Sequence, residues 1–371
     1  MYDVIIIGAG SMGTAASYFL AKQQKRVLCI DAFDPPHTEG SHHGETRIIR
    51  YAYGEGTDYV DLALRAKQLW QELETLTGEQ LLLPIGVLNM TDKDAPFLHN
   101  VKQSALQHHL HVESLTSTDV NERFNGITIP NTMEAVYEAD AGVLHVERCV
   151  SSYRQLAEQH GAIYRVHEPV QQLSKKQDKH IVETTHGTYE GKTLIICAGA
   201  WTKKLLDTID VSLPLTPTRK TFAWFDAPEQ YDTRHFPAFV LERPNDCFYG
   251  FPSIDGSGFK VGKHDGGEPI DPSQPLVPFH DEDLAHLQTF VDTYMPQVGT
   301  YKYGKECKYN MTPDEDFIID TLPTDSSIVI ATGFSGHGFK FSSAIGELLA
   351  MMAMKQDVPY NLQRFSIHRF L

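Results

Sequence analysis

The chain has 371 residues, of which 41% are hydrophobic and 22% charged, so it has the composition of a globular protein and room for two domains. Its formal net charge of −16 argues against a nucleic-acid-binding surface and against a polybasic membrane anchor. Five scattered cysteines without a C-x-x-C pair favour a reducing compartment over a disulfide framework. No leader precedes the first apolar run and no run reaches the length of a bilayer span, so we expect a cytoplasmic protein with no membrane segment.

The N-terminal segment predicts a nucleotide-binding unit of strand, turn, helix and strand. The apolar run 4–7 leads into Gly8, Gly10 and Gly13 of a G-x-G-x-x-G turn, and a second apolar run ends on Asp31. Gly8 permits a tight turn, Gly10 lets the backbone approach a pyrophosphate, and Gly13 lets the helix pack closely on its strand. The helix N-terminus offers unpaired N–H groups to the phosphates, and Asp31 can accept hydrogen bonds from a ribose. The segment therefore predicts that the chain binds an adenine dinucleotide.

Beyond Asp31, periodic apolar residues predict an uneven alternation of helices and strands. The helices are predicted at 59–76, with Gly78 as the stop, at 146–159 and at about 341–354, and the strands near 162–167, 180–185, 188–189, 193–197 and 328–331. Residues 85–140 have short strands, helical pieces and prolines, which is typical of an inserted region. Residues 215–310 are rich in aromatic residues, proline and glycine, and their alternating pattern predicts an antiparallel sheet.

The order of these elements predicts an α/β protein, α+β overall, whose nucleotide-binding sheet takes strands from the N-terminus, the middle and the C-terminus. Such an interrupted sheet is more typical of flavoprotein oxidases than of NAD dehydrogenases. We therefore predict a discontinuous Rossmann-like FAD-binding domain, formed by 1–84, 144–216 and 314–371, and an antiparallel-sheet substrate domain, formed by 85–143 and 217–313.

Two segments carry positive side chains suited to chemistry. Arg47 and Arg50 follow a glycine turn, and arginine's planar fork binds carboxylates bidentately, although a pair of surface arginines is the alternative. Strand alternation puts Lys260 and His264 on one face, which is unusual for a core unless that face meets water. The adjacent histidines at 42–43 have no carboxylate or cysteine at ligand spacing, so no metal site is predicted.

Two further candidates lie near the C-terminus. The turn 333–340 joins a strand to a helix, and its glycines allow a ligand to approach the backbone closely. The following helix directs its positive end there and Lys340 adds a charge, while a purely structural loop is the alternative. Cys307 lies on a strand whose alternation puts Tyr309 on the same face, although a cysteine on a strand is more often buried and inert.

Taken together, these segments resemble the family of covalent FAD amine oxidases that contains monomeric sarcosine oxidase and N-methyltryptophan oxidase. The likeness covers nearly the whole chain, from Asp3 to about Arg369, in motifs at 31–32 with 35–37, 41–50, 52–56, 249–252, 314–320 and 336–341. The resemblance implies a flavin oxidase whose FAD is attached covalently, through the 8-methyl group of the flavin, to Cys307.

The resemblance also implies roles for the matched positions. Arg50 and Lys340 would clamp the carboxylate of the substrate. Arg47 and Lys260 would flank the flavin, and Lys260 would promote the reaction with oxygen. The catalytic candidates are Lys260, His264, Arg47, Tyr249 and His337, and of these His264, Tyr249 and His337 would line the substrate cavity. The substrate-binding candidates are Arg50, Lys340 and Val240. The cofactor-binding candidates are Gly8, Gly10, Gly13, Asp31, Thr46, Arg47, Cys307, Gly336, Gly338 and Lys340.

The implied reaction is oxidative demethylation of an N-methyl amino acid of the sarcosine or N-methyl-L-tryptophan type, with oxygen as acceptor. The products would be the primary amino acid, formaldehyde and hydrogen peroxide. Val240 stands where sarcosine oxidase has a methionine, and glycines occupy 266 and 267, so we expect larger substrates to be tolerated. An FAD-dependent dehydrogenase or oxidase of glycine, proline or a D-amino acid is the alternative, and a non-catalytic nucleotide-binding protein is the third. The expected partners are the substrate and oxygen, without nucleic acid or membrane; the oligomeric state stays open, and a monomer is one option.

Overall fold

The computed structural model describes residues 1–244 and 246–370. The helices are α1 (Ser11–Lys22), α2 (Val60–Thr77), α3 (Pro96–Gln107), α4 (Ser117–Arg123), α5 (Val146–Gln159), α6 (Thr202–Leu206), α7 (Asp281–Tyr294) and α8 (Ser342–Ala353). The strands are β1 (Tyr2–Ile7), β2 (Val27–Ile30), β3 (Thr46–Ile49), β4 (Leu82–Leu83), β5 (Val87–Asp92), β6 (Glu113–Thr116), β7 (Met133–Glu138), β8 (Gly142–His145), β9 (Ile163–Arg165), β10 (Val170–Lys176), β11 (Lys179–Thr184), β12 (Thr188–Ile196), β13 (Thr216–Phe225), β14 (Ala238–Glu242), β15 (Phe248–Phe251), β16 (Phe259–Lys263), β17 (Glu268–Pro269), β18 (Tyr301–Met311), β19 (Ile318–Leu322) and β20 (Asp325–Thr332).

The first sheet has a parallel centre in the order β9-β2-β1-β12-β20. Strands β10 and β11 extend it as an antiparallel meander on the first half of β12, and β19 pairs antiparallel with β20. Val4 and Ile6 pack in one apolar cluster with residues of α1, α5 and α8, whereas Ile5 and Ile7 pack in a second cluster on the other face. Burial on both faces explains why β1 and β2 are continuous apolar runs without polar alternation.

The second sheet is formed by residues from 87–138 and 216–311, in the order β17-β13-β16-β15-β14-β5-β7-β6, with β18 paired to β13. Its described pairings are antiparallel except for the parallel pair of β5 and β14. This sheet confirms the antiparallel character predicted for residues 215–310 and joins them to the inserted region. A small third sheet, β3-β8-β4, carries residues 46–49.

The predicted helices are confirmed by α2, α5 and α8, and α2 ends at Gly78, whose φ of +72° suits glycine. Several elements were not predicted, among them β3, α6, β19, β10 and α7. Strand β10 is mostly exposed, so apolar alternation does not mark it. Helix α7 lies within the region predicted to be all strand, and it packs Leu287, Phe290 and Val291 into the core of the second sheet.

The division into domains stays a prediction. Two of its predicted boundaries, 143/144 and 216/217, lie inside β8 and β13. Among the described residues, none of the helices combines the length and apolar character needed to cross a membrane.

Candidate active site

A cavity of about 770 Å³ runs beside the first sheet and reaches the second. Its walls include six of the predicted cofactor residues together with an aromatic residue of β18: Gly8, Gly10, Asp31, Arg47, Gly336, Gly338 and Tyr309. Four predicted cofactor residues, Gly13, Thr46, Cys307 and Lys340, are not among the described residues that line this cavity, and Thr46 lines a second, smaller cavity. The volume is in the range of pockets that enclose an organic cofactor.

Glycine is required at two positions of the N-terminal turn for steric reasons. Gly8 has a φ of +93°, and a Cβ there would lie 2.3 Å from the carbonyl oxygen of Cys197. A Cβ on Gly13 would lie 1.9 Å from the carbonyl oxygen of Gly8, so α1 can pack on β1 only with glycine there. Helix α1 begins after Gly10 without a side-chain cap, which leaves its first N–H groups available to an anion.

The polar groups around this turn fit a dinucleotide. The carboxylate of Asp31 accepts the N–H groups of Ala9 and Phe33 at 2.7 and 2.9 Å and keeps lone pairs for further donors. His37 and His42 line the cavity; the Nε2 atom of His42 is buried without a hydrogen-bond partner in the described part of the chain, and that of His37 has only an Oδ1 atom of Asp31 nearby, at 3.5 Å. Buried nitrogen atoms need partners, and the pyrophosphate and ribose oxygens of FAD would supply them. The residues present therefore fit FAD.

One face of the second sheet gathers predicted residues from four strands. Directly paired residues of neighbouring strands project to the same face, and the pairs are Lys220 with Cys307, Trp224 with Lys260, Gly262 with Tyr249, and Tyr249 with Val240. Gly262 is needed in this row because a Cβ there would lie 2.5 Å from the hydroxyl oxygen of Tyr249. Strand register, rather than local sequence, brings these side chains together.

Lys260 is 2% exposed, so the alternative that its face meets water is wrong. Its Nζ atom donates to the carbonyl oxygen of Gly44 at 2.5 Å and to Oγ1 of Thr46 at 3.0 Å. The ammonium also lies 4.7 to 5.1 Å from the ring centres of the aromatic residues Phe222, Phe251 and Trp224. Burial, helped by the charge of Arg47, lowers the pKa of Lys260 well below its ordinary value.

Arg47 holds the same turn from the cavity side. Its guanidinium donates to the carbonyl oxygens of Thr46 at 2.9 Å and of Ser41 and His43 at 2.8 Å each. Three backbone acceptors fix the planar group, so its charge has one position in the cavity wall.

Cys307 is 1% exposed and packs with Phe222, Trp224 and Tyr309. Burial raises the pKa of its thiol, although the nearby cations of Arg47, Lys260 and Lys220 oppose this effect. Tyr309, two residues along β18, lies in the wall of the large cavity. Gly336 faces this tyrosine closely, since a Cβ on Gly336 would lie 2.1 Å from its ring. Cys307 therefore lies on the same face of β18 as Tyr309, which lines the cavity, with three basic side chains nearby.

Arg50 and Lys340 converge on Tyr53. The Arg50 guanidinium carbon lies 4.6 Å and the Lys340 Nζ atom 5.2 Å from the centre of the Tyr53 ring. Arg50 is 4% exposed; its Nη2 atom pairs with Glu55 at 2.5 Å, and its Nη1 atom has no hydrogen-bond partner among the described residues. Burial, helped by Arg50, lowers the pKa of Lys340 to about 7. Two basic side chains therefore lie in one buried place, and one of them has a donor nitrogen without a partner among the described residues.

His337 belongs to a chain of hydrogen bonds behind this pair. Its Nε2 atom lies 3.1 Å from the carbonyl oxygen of Glu315, which can only accept, so Nε2 carries the proton. Its Nδ1 atom then accepts from the Tyr53 hydroxyl at 2.7 Å, and the Tyr53 oxygen accepts from Lys340 at 3.3 Å. Burial lowers the pKa of His337 to about 3, so the ring is neutral. Both ring nitrogens are occupied, which suits His337 to holding Tyr53 and Lys340 in place.

The remaining predicted site residues lie on the second sheet. His264 follows β16, with its ring 5.8 Å from that of Tyr309, and burial lowers its pKa to about 4. Val240 packs against Phe251 and Tyr249. Glycines 266 and 267 are both exposed, and a Cβ at 267 would meet the Arg219 backbone at 2.5 Å. The expectation that these two glycines make room for larger substrates stays a prediction.

Two polar residues of the site were not predicted, Tyr53 and Glu55. Both lie in the motif 52–56, whose glycines and charge beside Arg50 were the available signal. Burial would raise the pKa of Glu55, but Arg50 and neighbouring cations outweigh it and hold that pKa at about 2. Glu55 is thus an anion already paired with the cation that was predicted to bind substrate.

The chain is similar in sequence to known FAD-dependent oxidoreductases and in fold to solved amino acid oxidases. The family model for FAD-dependent oxidoreductases matches residues 3–352. The chain is 44% identical to monomeric sarcosine oxidase from Arthrobacter sp. (strain TE1826), over 99% of this chain and 96% of that protein. It is 43% identical to N-methyl-L-tryptophan oxidase from Yersinia pestis (strain Pestoides F), over 100% and 99%. Among solved structures, the amino acid oxidase NikD superposes on 98% of this chain with a TM-score of 0.86 and a sequence identity of 24%, and 97% of NikD is covered. Glycine oxidase from Geobacillus kaustophilus superposes on 100% of this chain with a TM-score of 0.85 and a sequence identity of 19%, and 99% of that protein is covered.

Proposed function

We propose that this chain, which belongs to the FAD-dependent oxidoreductase family, catalyses the oxidative demethylation of an N-methyl amino acid with oxygen as acceptor. The products would be the primary amino acid, formaldehyde and hydrogen peroxide. The observation that carries the proposal is the buried pair of Arg50 and Lys340 at Tyr53, with one guanidinium nitrogen free of protein partners. The relatives named sarcosine oxidase and N-methyl-L-tryptophan oxidase, at 43 to 45% identity, support the same substrate class.

The two cations would bind and orient the substrate carboxylate. A carboxylate beside Lys340 favours the charged form of the lysine, because it offsets the desolvation that lowers the pKa of Lys340 to about 7. Fixing the carboxylate in a buried place fixes the N-methyl group relative to the cofactor, and such orientation is worth several kcal/mol of the barrier. FAD, when bound in the large cavity, supplies the two-electron acceptor for the amine.

Other residues would act on charge and protons. His264, neutral because burial lowers its pKa to about 4, adds no positive charge beside the substrate amine and can accept a proton. Lys260, held by Gly44 and Thr46, would stabilise the negative charge that develops when oxygen is reduced.

We also propose that FAD is attached to Cys307. Support comes from the position of Cys307 on β18, two residues before Tyr309, which lines the cavity, and from the nearby charges of Arg47, Lys260 and Lys220, which oppose the effect of burial on the pKa of the thiol. None of the five cysteines forms a disulfide, which supports a reducing compartment such as the cytoplasm.

A peroxide assay across sarcosine, N-methylalanine and N-methyltryptophan tests the proposed function, with glycine and proline as primary and cyclic comparison substrates. We expect peroxide and formaldehyde together from N-methyl amino acids. Peroxide from glycine or proline without any from the N-methyl compounds would contradict the proposal and favour the alternative amino acid oxidase.

A further inference from the structure

We propose that Glu147 is a positioning residue for Lys260 in the reaction with oxygen. The inference rests on the proposed oxidase function, because it assigns to Glu147 the task of fixing the charge that oxygen meets. Glu147 is the second residue of α5 and lies close to neither the nucleotide turn nor the Arg50 pair in sequence.

The start of α5 holds the turn 44–46 from two sides. The Oε1 atom of Glu147 accepts the N–H groups of Gly44 and Glu45 at 3.0 and 3.1 Å. The N–H of Val146 donates to the carbonyl oxygen of Glu45 at 2.9 Å. Gly44 and Glu45 have φ values of +100° and +73°, and a non-glycine residue keeps such a backbone only where its surroundings impose it. The shape of the turn therefore depends on Glu147.

The same turn supplies the oxygen atoms that hold Lys260. Its Nζ atom donates to the carbonyl oxygen of Gly44 and to Oγ1 of Thr46. The aromatic rings around Lys260 attract its charge without giving the N–H groups a direction. The turn therefore fixes the direction of the Lys260 Nζ atom, and Glu147 contributes by fixing the turn.

Glu147 and Lys260 also line a second cavity, of about 280 Å³, together with Trp224 and Phe251. Lys260 is not among the described residues that line the large cavity, where Arg47 forms the wall. Lys260 therefore borders this second cavity together with Glu147. In the proposed reaction, oxygen takes two electrons and two protons from the reduced cofactor and leaves as hydrogen peroxide, and a fixed ammonium stabilises the first negative charge.

The contact between the two residues is indirect. Glu147 and Lys260 form no ion pair in the ranges 1–244 and 246–370, so they interact directly only through the longer-range attraction of their charges, while the hydrogen bonds to the turn supply the contacts that connect them. A plain structural role is available to Glu147, because an acidic residue in the first turn of a helix stabilises that helix. The test must separate these two roles.

Three variants separate them. E147A removes the acceptor, E147Q keeps an oxygen acceptor for both N–H groups while removing the charge, and E158A makes the same truncation at an exposed position of α5. Each purified holoenzyme is photoreduced without substrate and mixed with oxygen in a stopped-flow instrument. We expect E147A to slow reoxidation by about tenfold or more, E147Q by no more than about threefold, and E158A not measurably, since a displaced charge acts less on the transition state. Reduction by substrate should change by less than about twofold in all three.

Hydrogen exchange gives a readout that does not depend on activity. In E147A, peptides containing residues 44 and 45 should exchange faster than in the native protein, because their N–H groups lose their acceptor. In E147Q and E158A the exchange of these peptides should stay close to the native rate. A helix-stabilising role would instead change exchange along α5 and leave the turn as it was.

Two results would overturn the proposal. One is native reoxidation in E147A together with faster exchange at the turn, since the turn would then not control Lys260. The other is equal slowing of reoxidation in E147A and E147Q, since the charge would then matter and the positioning would not. Failure of the proposed oxidase function has a different signature: photoreduced native enzyme would itself react with oxygen no faster than free reduced flavin.

Discussion

Removing Arg50 tests the carboxylate site most directly. In Arg50→Ala, the substrate carboxylate loses a buried partner, and Glu55 loses the cation that holds its pKa at about 2. Truncating one partner of a buried, hydrogen-bonded charge pair costs about 2–5 kcal/mol, which is roughly thirtyfold to several thousandfold in binding. The loss should appear as weaker substrate binding in the reductive half-reaction, measured by stopped flow at a series of substrate concentrations.

Glu55 complicates this result, because an unpaired carboxylate would repel the substrate. The double variant Arg50→Ala with Glu55→Gln removes that repulsion, so its difference from the single variant measures the contribution of Glu55. A substrate without the carboxylate provides the second control: N-methyltryptamine should be a very poor substrate for the native enzyme, and Arg50→Ala should narrow its gap to N-methyltryptophan. If N-methyltryptamine turns over in the native enzyme as well as the amino acid does, the assignment of Arg50 to the carboxylate is refuted.

Three further predictions concern the other charged groups and the sulfur. Acid precipitation should leave the yellow colour with the native protein and release it from Cys307→Ala; flavin in the supernatant of the native protein would contradict the covalent bond. Lys260→Met should slow reoxidation by about two to three decades, equivalent to about 3–4 kcal/mol, while changing reduction by substrate far less, and equal slowing of both would make Lys260 structural. Because the pKa of Lys340 is lowered to about 7, its charged fraction in the free enzyme falls as the pH rises above 7, so substrate binding should weaken by up to about tenfold per pH unit there. Lys340→Met should bind weakly at every pH and lose this dependence.

The sequence predicts the separate segments that contribute residues to the site, but not which of these segments are in contact in the folded chain. The motif 52–56 is recognisable in the sequence, but its residues do not indicate that the Tyr53 ring lies against Arg50. Nor do they indicate that the Tyr53 hydroxyl oxygen accepts a hydrogen bond from Lys340, which is nearly at the other end of the chain. Likewise, Lys260 was singled out on strand alternation that also allowed a water-facing lysine. Only its position under Gly44 and Thr46 shows that it is buried.

What the sequence by itself determined follows from local physics. The glycine turn with Asp31, the buried runs of β1 and β2 and the amphipathic pattern of α2 are set by steric limits on φ and by apolar periodicity, which act within a few residues. Local patterns failed at β10, an exposed strand with little apolar alternation, and at α7, a helix within a region of strand-like composition.

Only the tertiary structure determines which side chains of distant segments lie next to each other. The row of Cys307, Lys260, Tyr249 and Val240 depends on the register of five strands, β18, β13, β16, β15 and β14, and a shift of a strand by one residue would turn its side chains to the opposite face. The hydrogen bond from the N–H of Gly44 to the Glu147 carboxylate depends on how α5 packs against a segment about a hundred residues earlier in the chain. Such contacts join residues far apart in sequence and leave no periodic trace in either segment, so only the packed fold reveals them.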